Sequence, residues 1–235
     1  MSSADLNLLQ RRILASGRWF ANLPSPLQEA LLANARVVTL RTGELLFQRG
    51  DDNDGLYAML DGAVRFGAVN RAGKESVAGL AEPPQWFGEV ALLDGGQRTH
   101  HVWADSDATL AHVPLPAVHR WLAAHPAHWQ YLGQLAVHKL RVMFTALEDA
   151  SLYSPRERLV RCLASLVLAY GQRDAAPLQT LRVSQERLGS ILSLSRQTVN
   201  ALLQGLEQEQ VLVCVRGGLR IVDLGRLLEL EAEIQ

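Results

Sequence analysis

Between Val37 and Val113 no apolar run lasts more than five residues. Val37-Val38-Thr39-Leu40, Leu45-Leu46-Phe47, Leu56-Tyr57-Ala58-Met59-Leu60, Val64-Arg65-Phe66 and Thr109-Leu110-Ala111-His112-Val113 follow one another. Turn formers divide them at Arg49-Gly50-Asp51, Asp61-Gly62, Asn70-Arg71-Ala72-Gly73 and Gly95-Gly96. Such runs are too short for helices, and many strands spaced about ten residues apart close into a β-sandwich or β-roll.

The period is helical on both sides of this stretch. From Asp5 to Ala33 apolar residues recur at Leu6, Leu9, Ile13, Leu27 and Leu31, interrupted by Pro24 and Pro26, which predicts two or three short helices. Pro126 opens a stretch to Ser151 with no further Pro and only Gly133, which predicts one helix of about 25 residues. It carries two apolar stripes, Leu132, Leu135, Val142 and Ala146 on one side and Ala136, Leu140, Met143 and Leu147 on the other. The economical arrangement packs one stripe on the helix's own β-domain and the other on a partner's equivalent helix; the alternative is a helix buried wholly inside one domain. Lys139 and Asp149 interrupt the first stripe. Ser154-Pro155 restarts the chain, with a helix to about Tyr170 and a loop from Gly171 to Pro177.

The 235 residues exceed a typical domain of about 100 to 150. The expected division is 1–125 for the β-roll, 126–153 for the long helix and hinge, and 154–235 for a C-terminal domain. The formal net charge of −1 argues against a uniformly basic nucleic-acid coat, although a local patch fits within it. Cys162 and Cys214 are the two cysteines, too few for a disulfide framework or a four-cysteine iron–sulfur or zinc site. No segment approaches the roughly 20 apolar residues needed to span a bilayer, and residues 1–10 carry no secretion signal. A reducing cytoplasm without membrane attachment is the expectation.

The most specific signals lie between Ser184 and Val222. Ser184 stands where an N-cap would precede a short helix whose apolar face is Leu188, Ile191 and Leu192. Ser193-Leu194 makes a turn, and Ser195 caps a second helix, Arg196 to Gln208, with Val199, Leu202, Leu203 and Leu206 on one side. Arg196, Gln197, Asn200 and Gln204 face elsewhere. This is a helix-turn-helix, the arrangement that lays its second helix in the major groove. Val211 to Val215 and Leu219 to Val222, joined at Arg216-Gly217-Gly218, read as a hairpin wing. Five Arg (182, 187, 196, 216 and 220) against Glu186, Glu207 and Glu209 give a local charge of +2, which suits phosphate contact.

Leu188-Gly189-Ser190-Ile191-Leu192-Ser193-Leu194-Ser195-Arg196-Gln197-Thr198-Val199 resembles the winged helix of the cyclic-AMP receptor protein/fumarate-nitrate regulator family. Leu46-Phe47-Gln48-Arg49-Gly50-Asp51 through Asp61-Gly62 resembles that family's β-roll signature, and Phe87 to Leu92 with Arg98-Thr99 resembles its phosphate-binding cassette. The resemblance runs from about residue 18 to the C-terminus. It implies an α+β protein: an N-terminal antiparallel β-roll of the cyclic-nucleotide-binding, jelly-roll type, a long dimerisation helix and a C-terminal winged helix-turn-helix.

Function follows as expectation. A glycine turn running into a helix presents amides at Gly88, Glu89, Val90 and Ala91 to an anion, while Arg98 clamps a phosphate, Thr99 adds a hydroxyl and Glu89 accepts from a sugar hydroxyl. A cyclic nucleotide is the expected effector, with Arg98 and Glu89 pairing to neighbours as the alternative. His100 replaces the small residue that follows Arg-Ser/Thr in the family's binders, and Met143 and Phe144 stand where the cyclic-AMP-binding member presents Thr-Ser to adenine. His100 and His101 are adjacent in a strand and point to opposite faces, so no metal site is expected; with His112 in addition, a haem or metal sensor through one axial His is the weaker reading. The family's iron–sulfur cysteines are absent, and no nucleophile, P-loop or paired-carboxylate pattern indicates an enzyme.

The expected activity is that of a homodimeric, ligand-responsive transcription regulator on a palindromic double-stranded DNA operator, with RNA polymerase as a further partner. The alternative is a nucleotide or haem/metal sensor on the same β-roll that does not bind DNA. Ser184, Ser195, Arg196, Gln197, Thr198, Asn200, Ala201 and Arg216 are the candidate DNA-binding residues. Relative to the family's Arg-Glu-Thr pattern with a later Arg, Gln197 replaces the Glu and Ala201 the second Arg, which moves the expected readout toward A·T pairs.

Overall fold

The computed structural model describes residues 6–69, 75–171, 180–181, 183–192 and 194–234. The predicted turn at 70–73, most of the loop after Gly171, Arg182 and Ser193 lie outside them. The chain divides into two compact units, Met1–Arg141 and Val142–Gln235.

The first unit opens with three short helices, α1 (Leu8–Ala15), α2 (Arg18–Ala21) and α3 (Ser25–Asn34). Asn7 caps α1 with a reciprocal hydrogen-bond pair to Gln10. The strands are β1 (Arg36–Leu40), β2 (Leu45–Phe47), β3 (Gly55–Asp61), β4 (Val64–Val69), β5 (Glu75–Ala81), β6 (Trp86–Phe87), β7 (His101–Ala104) and β8 (Ala108–Pro114). They form two four-stranded sheets, ordered β1-β8-β3-β6 and β2-β7-β4-β5, every pairing antiparallel. The crossed order is that of a β-roll, in agreement with the spacing of the short apolar runs.

Residues Gly55 to Leu60 are buried on both faces, which explains why this run is continuously apolar rather than alternating. Tyr57 and Met59 join Val64, Phe87, Val102 and Leu110 in the core between the sheets. Leu56, Ala58 and Leu60 face Phe20, Leu27 and Leu31 from the N-terminal helices. A fourth helix, α4 (Glu89–Asp94), lies between β6 and β7. Val118 and Leu122 of α5 (Leu115–Ala124) fill the same layer as the N-terminal helices, four residues apart on one helix face.

The long helix, α6, spans Trp129–Leu152. Pro126 opens a 3-10 turn, Pro126–His128, three residues ahead of it. Leu132 and Leu135 are buried in the β-roll core, but Val142, predicted on the same stripe, is 58% exposed. The boundary between the units falls inside α6, so the two halves of that stripe do not share one packing environment.

The second unit contains α7 (Pro155–Gly171), β9 (Thr180–Leu181), α8 (Gln185–Leu192), α9 (Arg196–Gln208), β10 (Leu212–Val215), β11 (Gly218–Ile221) and α10 (Leu224–Ala232). Its sheet is antiparallel, ordered β10-β11-β9, and Gly217 turns the hairpin at φ +83°. Leu159, Leu163, Leu188, Val199, Leu203, Leu206, Leu219 and Leu227 form its core. Strands β5, β6 and β9 and helices α5 and α10 do not follow from the sequence pattern; β6 and β9 have two residues each, too few to show a period.

Candidate anion seat and nucleic-acid interface

Strand β3 is paired on one side with β6, Tyr57 opposite Phe87, and on the other with β8, Tyr57 opposite His112. Beyond Phe87 the chain turns into α4 at Gly88, whose φ is +98°. A Cβ there would lie 2.8 Å from both Arg98 Nη1 and the Gly55 carbonyl, so glycine is required for conformation and for space. Glu89 and Ala91 are buried, whereas Val90 is exposed.

Arg98 enters this corner from the segment before β7 and is 3% exposed. Its Nη1 donates to the Gly88 carbonyl at 3.3 Å, and its Nη2 donates to the Gly55 carbonyl at 2.8 Å and to Asp54 Oδ1. The guanidinium lies 4.4 Å from the Phe47 ring centre and 5.6 Å from that of Tyr57. Its Nε is buried without a hydrogen-bond partner.

Asp54 is the centre of a second set of contacts. The Tyr57 hydroxyl donates to Oδ2 at 2.5 Å, and His112 Nε2 lies 3.1 Å from the Asp54 carbonyl and 3.7 Å from Oδ2. Burial acts to raise the carboxyl's pKa, but the hydrogen bonds from Tyr57 and Arg98, with the charges of Arg98 and His112, outweigh it and hold it below the usual value. Burial and the bond to Asp54 push the Tyr57 hydroxyl up, so it stays a donor. His112 stacks on Tyr57 with ring centres 4.5 Å apart, and burial lowers its pKa.

Glu89, the predicted ribose acceptor, receives a hydrogen bond from Lys139 of α6 at 2.8 Å. Thr99 is exposed, its hydroxyl 2.9 Å from His100 Nδ1, while its carbonyl accepts from Arg49 Nε at 2.7 Å. The structure therefore sets Gly88 against Arg98, pairs Glu89 with Lys139 and buries Ala91, while Val90 and Thr99 are exposed. Met143 and Phe144, 65% and 54% exposed, belong to the second unit. Sequence reasoning allows neighbours for Arg98 and Glu89 without identifying Asp54, Gly55, Tyr57 or Lys139. Asp54-Gly55 reads as an ordinary turn before an apolar run, and only the i, i+3 spacing of Asp54 and Tyr57 offers a local signal.

His100 and His101 take separate partners: His101 Nδ1 accepts from the Arg49 amide at 3.3 Å and its ring stacks on Trp103. Among the described residues no group of three or more His, Cys, Asp or Glu is placed to hold a metal ion. Nor, among them, is any helix long and apolar enough to cross a membrane.

In the second unit the two predicted caps are made. Ser184 Oγ accepts from the Arg187 amide and Ser195 Oγ from the Thr198 amide, both at 3.1 Å. The Leu194 amide donates to the Gly189 carbonyl at 2.8 Å, and a Cβ on Gly189 would lie 2.8 Å from the Leu194 carbonyl, so the close approach of Leu194 to α8 needs that glycine. Val199, Leu203 and Leu206 are fully buried, which leaves Arg196, Gln197, Ala201 and Gln204 exposed and Thr198 and Asn200 half-buried. Arg196 Nε pairs with Glu186 Oε1 at 3.0 Å, and Asn200 Oδ1 accepts from Gln185 Nε2 at 3.3 Å. Arg216 and Arg220 are exposed on the hairpin.

Comparison with known proteins agrees with both halves. Residues 37–125 match the cyclic nucleotide-binding domain, and residues 157–230 match the Crp-like helix-turn-helix domain. A CRP-like cAMP-activated global transcriptional regulator of Mycobacterium tuberculosis is 26% identical over 192 residues, covering 81% of this chain and 86% of that protein. The cyclic AMP receptor protein of Thermus thermophilus is 27% identical over 188 residues, 80% of this chain and 84% of that one. Among solved structures, FixK2 of Bradyrhizobium japonicum aligns with a TM-score of 0.70 at 20% identity, covering 84% of this chain and 97% of that one.

Proposed function

Because this chain belongs to the cyclic-AMP receptor protein/fumarate-nitrate regulator family of transcription regulators, we propose that it is a cytoplasmic homodimer that reads a palindromic operator and answers to a cyclic nucleotide. The observation that carries the proposal is the exposed row Arg196, Gln197, Ala201 and Gln204 on α9, in one compact unit with the exposed Arg216 of the wing. Arg196 supplies a fork for guanine, Gln197 an amide for adenine, and Ala201 a methyl-sized contact for thymine. Thr198, Asn200 and the capping serines Ser184 and Ser195 position the helix, and Arg216 meets phosphate.

In the β-roll, Arg98 takes the phosphate, Glu89 a sugar hydroxyl, and Gly88, Val90, Ala91 and Thr99 the surrounding polar contacts. A sugar hydroxyl on Glu89 competes with Lys139, so the ligand acts directly on a contact that α6 makes. In sequence, Met143 and Phe144 stand where the cyclic-AMP-binding member presents Thr-Ser, so the proposal carries no preference for cyclic AMP over cyclic GMP. Two chains joined through α6 present two copies of α9 to half-sites about 34 Å apart, where RNA polymerase is the further partner.

The test is selection of binding sites from random duplex DNA with the full chain, with and without cyclic nucleotides. A palindrome rich in A·T at the positions read by Gln197 and Ala201 is expected. Failure to enrich any palindrome under any condition would sink the proposal.

A further inference from the structure

The phosphate seat is already filled from within the chain. Arg98 is 3% exposed, and both N–H groups of its Nη2 are used, one by the Gly55 carbonyl and one by the Asp54 carboxylate. The Asp54 side chain is half exposed while that of Arg98 is almost fully covered, so the carboxylate is the solvent-facing partner of the pair. Tyr57 donates its hydroxyl to the second carboxylate oxygen and fixes the side chain in place. We propose that Asp54 is a built-in competitor for the phosphate, and that an anionic effector binds this β-roll only by displacing the Asp54 carboxylate from Arg98.

The inference rests on reading the seat as a nucleotide-phosphate site and adds the residue that sets its threshold. A cyclic phosphodiester carries one negative charge, as the carboxylate does, so the exchange gains no Coulomb energy. The tethered competitor also acts at the high effective concentration of an intramolecular group, on the order of millimolar or above. If Asp54 occupies the seat nine-tenths of the time, the apparent affinity of a ligand falls by about tenfold, because only the open fraction binds. Arg98 Nε, buried with no partner, shows that the carboxylate leaves one donor of the guanidinium unused. The displaced carboxylate still has the Tyr57 hydroxyl and the neighbouring His112 as partners.

The experiment compares the full-length protein with Asp54→Asn and Asp54→Ser by calorimetry with cyclic AMP, cyclic GMP and cyclic di-GMP. Thermal unfolding in increasing sulfate serves as a second measurement on the same proteins. Tyr57→Phe, which loosens Asp54 without removing it, provides a variant should both substitutions at Asp54 fail to fold. At least tenfold tighter binding by an Asp54 variant, or a smaller gain of the same sign in Tyr57→Phe, is the expected result. Wild-type binding as tight as that of the variants overturns the inference and leaves the nucleotide reading standing. No nucleotide binding by any protein, with sulfate raising the melting temperature of an Asp54 variant more than that of wild type, supports Asp54 as the competitor and rejects the nucleotide. No nucleotide binding and no difference in sulfate response overturns both.

Discussion

Lys139 of α6 reaches Glu89 of α4 at 2.8 Å, joining the first turn of that short helix to the long one across fifty residues of sequence. Glu89 is buried and Lys139 is 38% exposed on its side chain, so the pair is closed at the carboxylate end and wet at the ammonium end. Removing one partner of a fully buried pair costs about 3 to 5 kcal/mol. With solvent screening on the lysine side, Lys139→Met should cost about 1 to 3 kcal/mol in chemical unfolding of the β-roll. The double variant Lys139→Met/Glu89→Gln should recover part of that loss. Equal stability of wild type and Lys139→Met would show that water already satisfies Glu89.

Gly88→Ala tests the seat's geometry. The φ of +98° is strained for any L side chain, and the new methyl would lie 2.8 Å from Arg98 Nη1 and from the Gly55 carbonyl. Neither backbone nor a buried guanidinium yields easily, so a destabilisation of about 1 to 3 kcal/mol is expected, with loss of anion binding. Gly205→Ala is the control, because it lies within α9 and a methyl group there would meet nothing within 4 Å. That change should stabilise the second unit by up to about 1 kcal/mol, the helix-propensity gain of alanine over glycine. Opposite signs in thermal unfolding are the expected pattern.

Local signals are legible in the sequence and distant pairings are not. Ser184 and Ser195 are readable as caps because an N-cap bonds a backbone amide two or three residues away, and Gly217 because a hairpin turn needs a positive φ. Asp54 and Arg98 lie 44 residues apart, and nothing local to either one names the other. Lys139 and Asp149, defects in an apolar stripe on sequence grounds, have partners that only the fold supplies: Glu89 at 2.8 Å and Arg161 at 3.5 Å. The stripe itself does not stay buried as far as Val142, since a helical period records which residues share a face and not where along the helix the packing surface ends.

Along α6, Val137, Leu140, Phe144 and Leu147 recur at three- and four-residue spacing and are 49%, 47%, 54% and 64% exposed. An apolar row of this length is covered when two copies of the helix pack together. Light scattering at micromolar concentration should return twice the 25.9 kDa chain mass. Leu147→Glu places an unpaired charge in that seam and should raise the dissociation constant at least about a hundredfold. A monomer mass for the wild-type chain would contradict the proposed dimer.

Arg196 is paired with Glu186 at 3.0 Å, so in the proposed complex DNA takes it from a carboxylate before it reads a base. Both side chains are well exposed, and such a pair is weak in water, so the exchange costs little against a bidentate guanine contact. Arg196→Ala should therefore lose about 1 to 3 kcal/mol of discrimination at one base pair of each half-site and leave the other positions unchanged. Arg216, exposed on the wing, should behave differently. Its replacement by Ala should weaken all duplexes alike and reduce the slope of log affinity against log salt by about one for each phosphate left without its arginine. Glu186→Gln separates the competition from the reading, because it frees Arg196 without touching a base and should tighten specific and non-specific binding together. Titration of each variant against the selected site, and against duplexes changed one base pair at a time at several salt concentrations, measures all three effects. If Arg196→Ala weakens every duplex equally, Arg196 holds phosphate and not guanine, and the base assignments along α9 must shift by one turn of the helix.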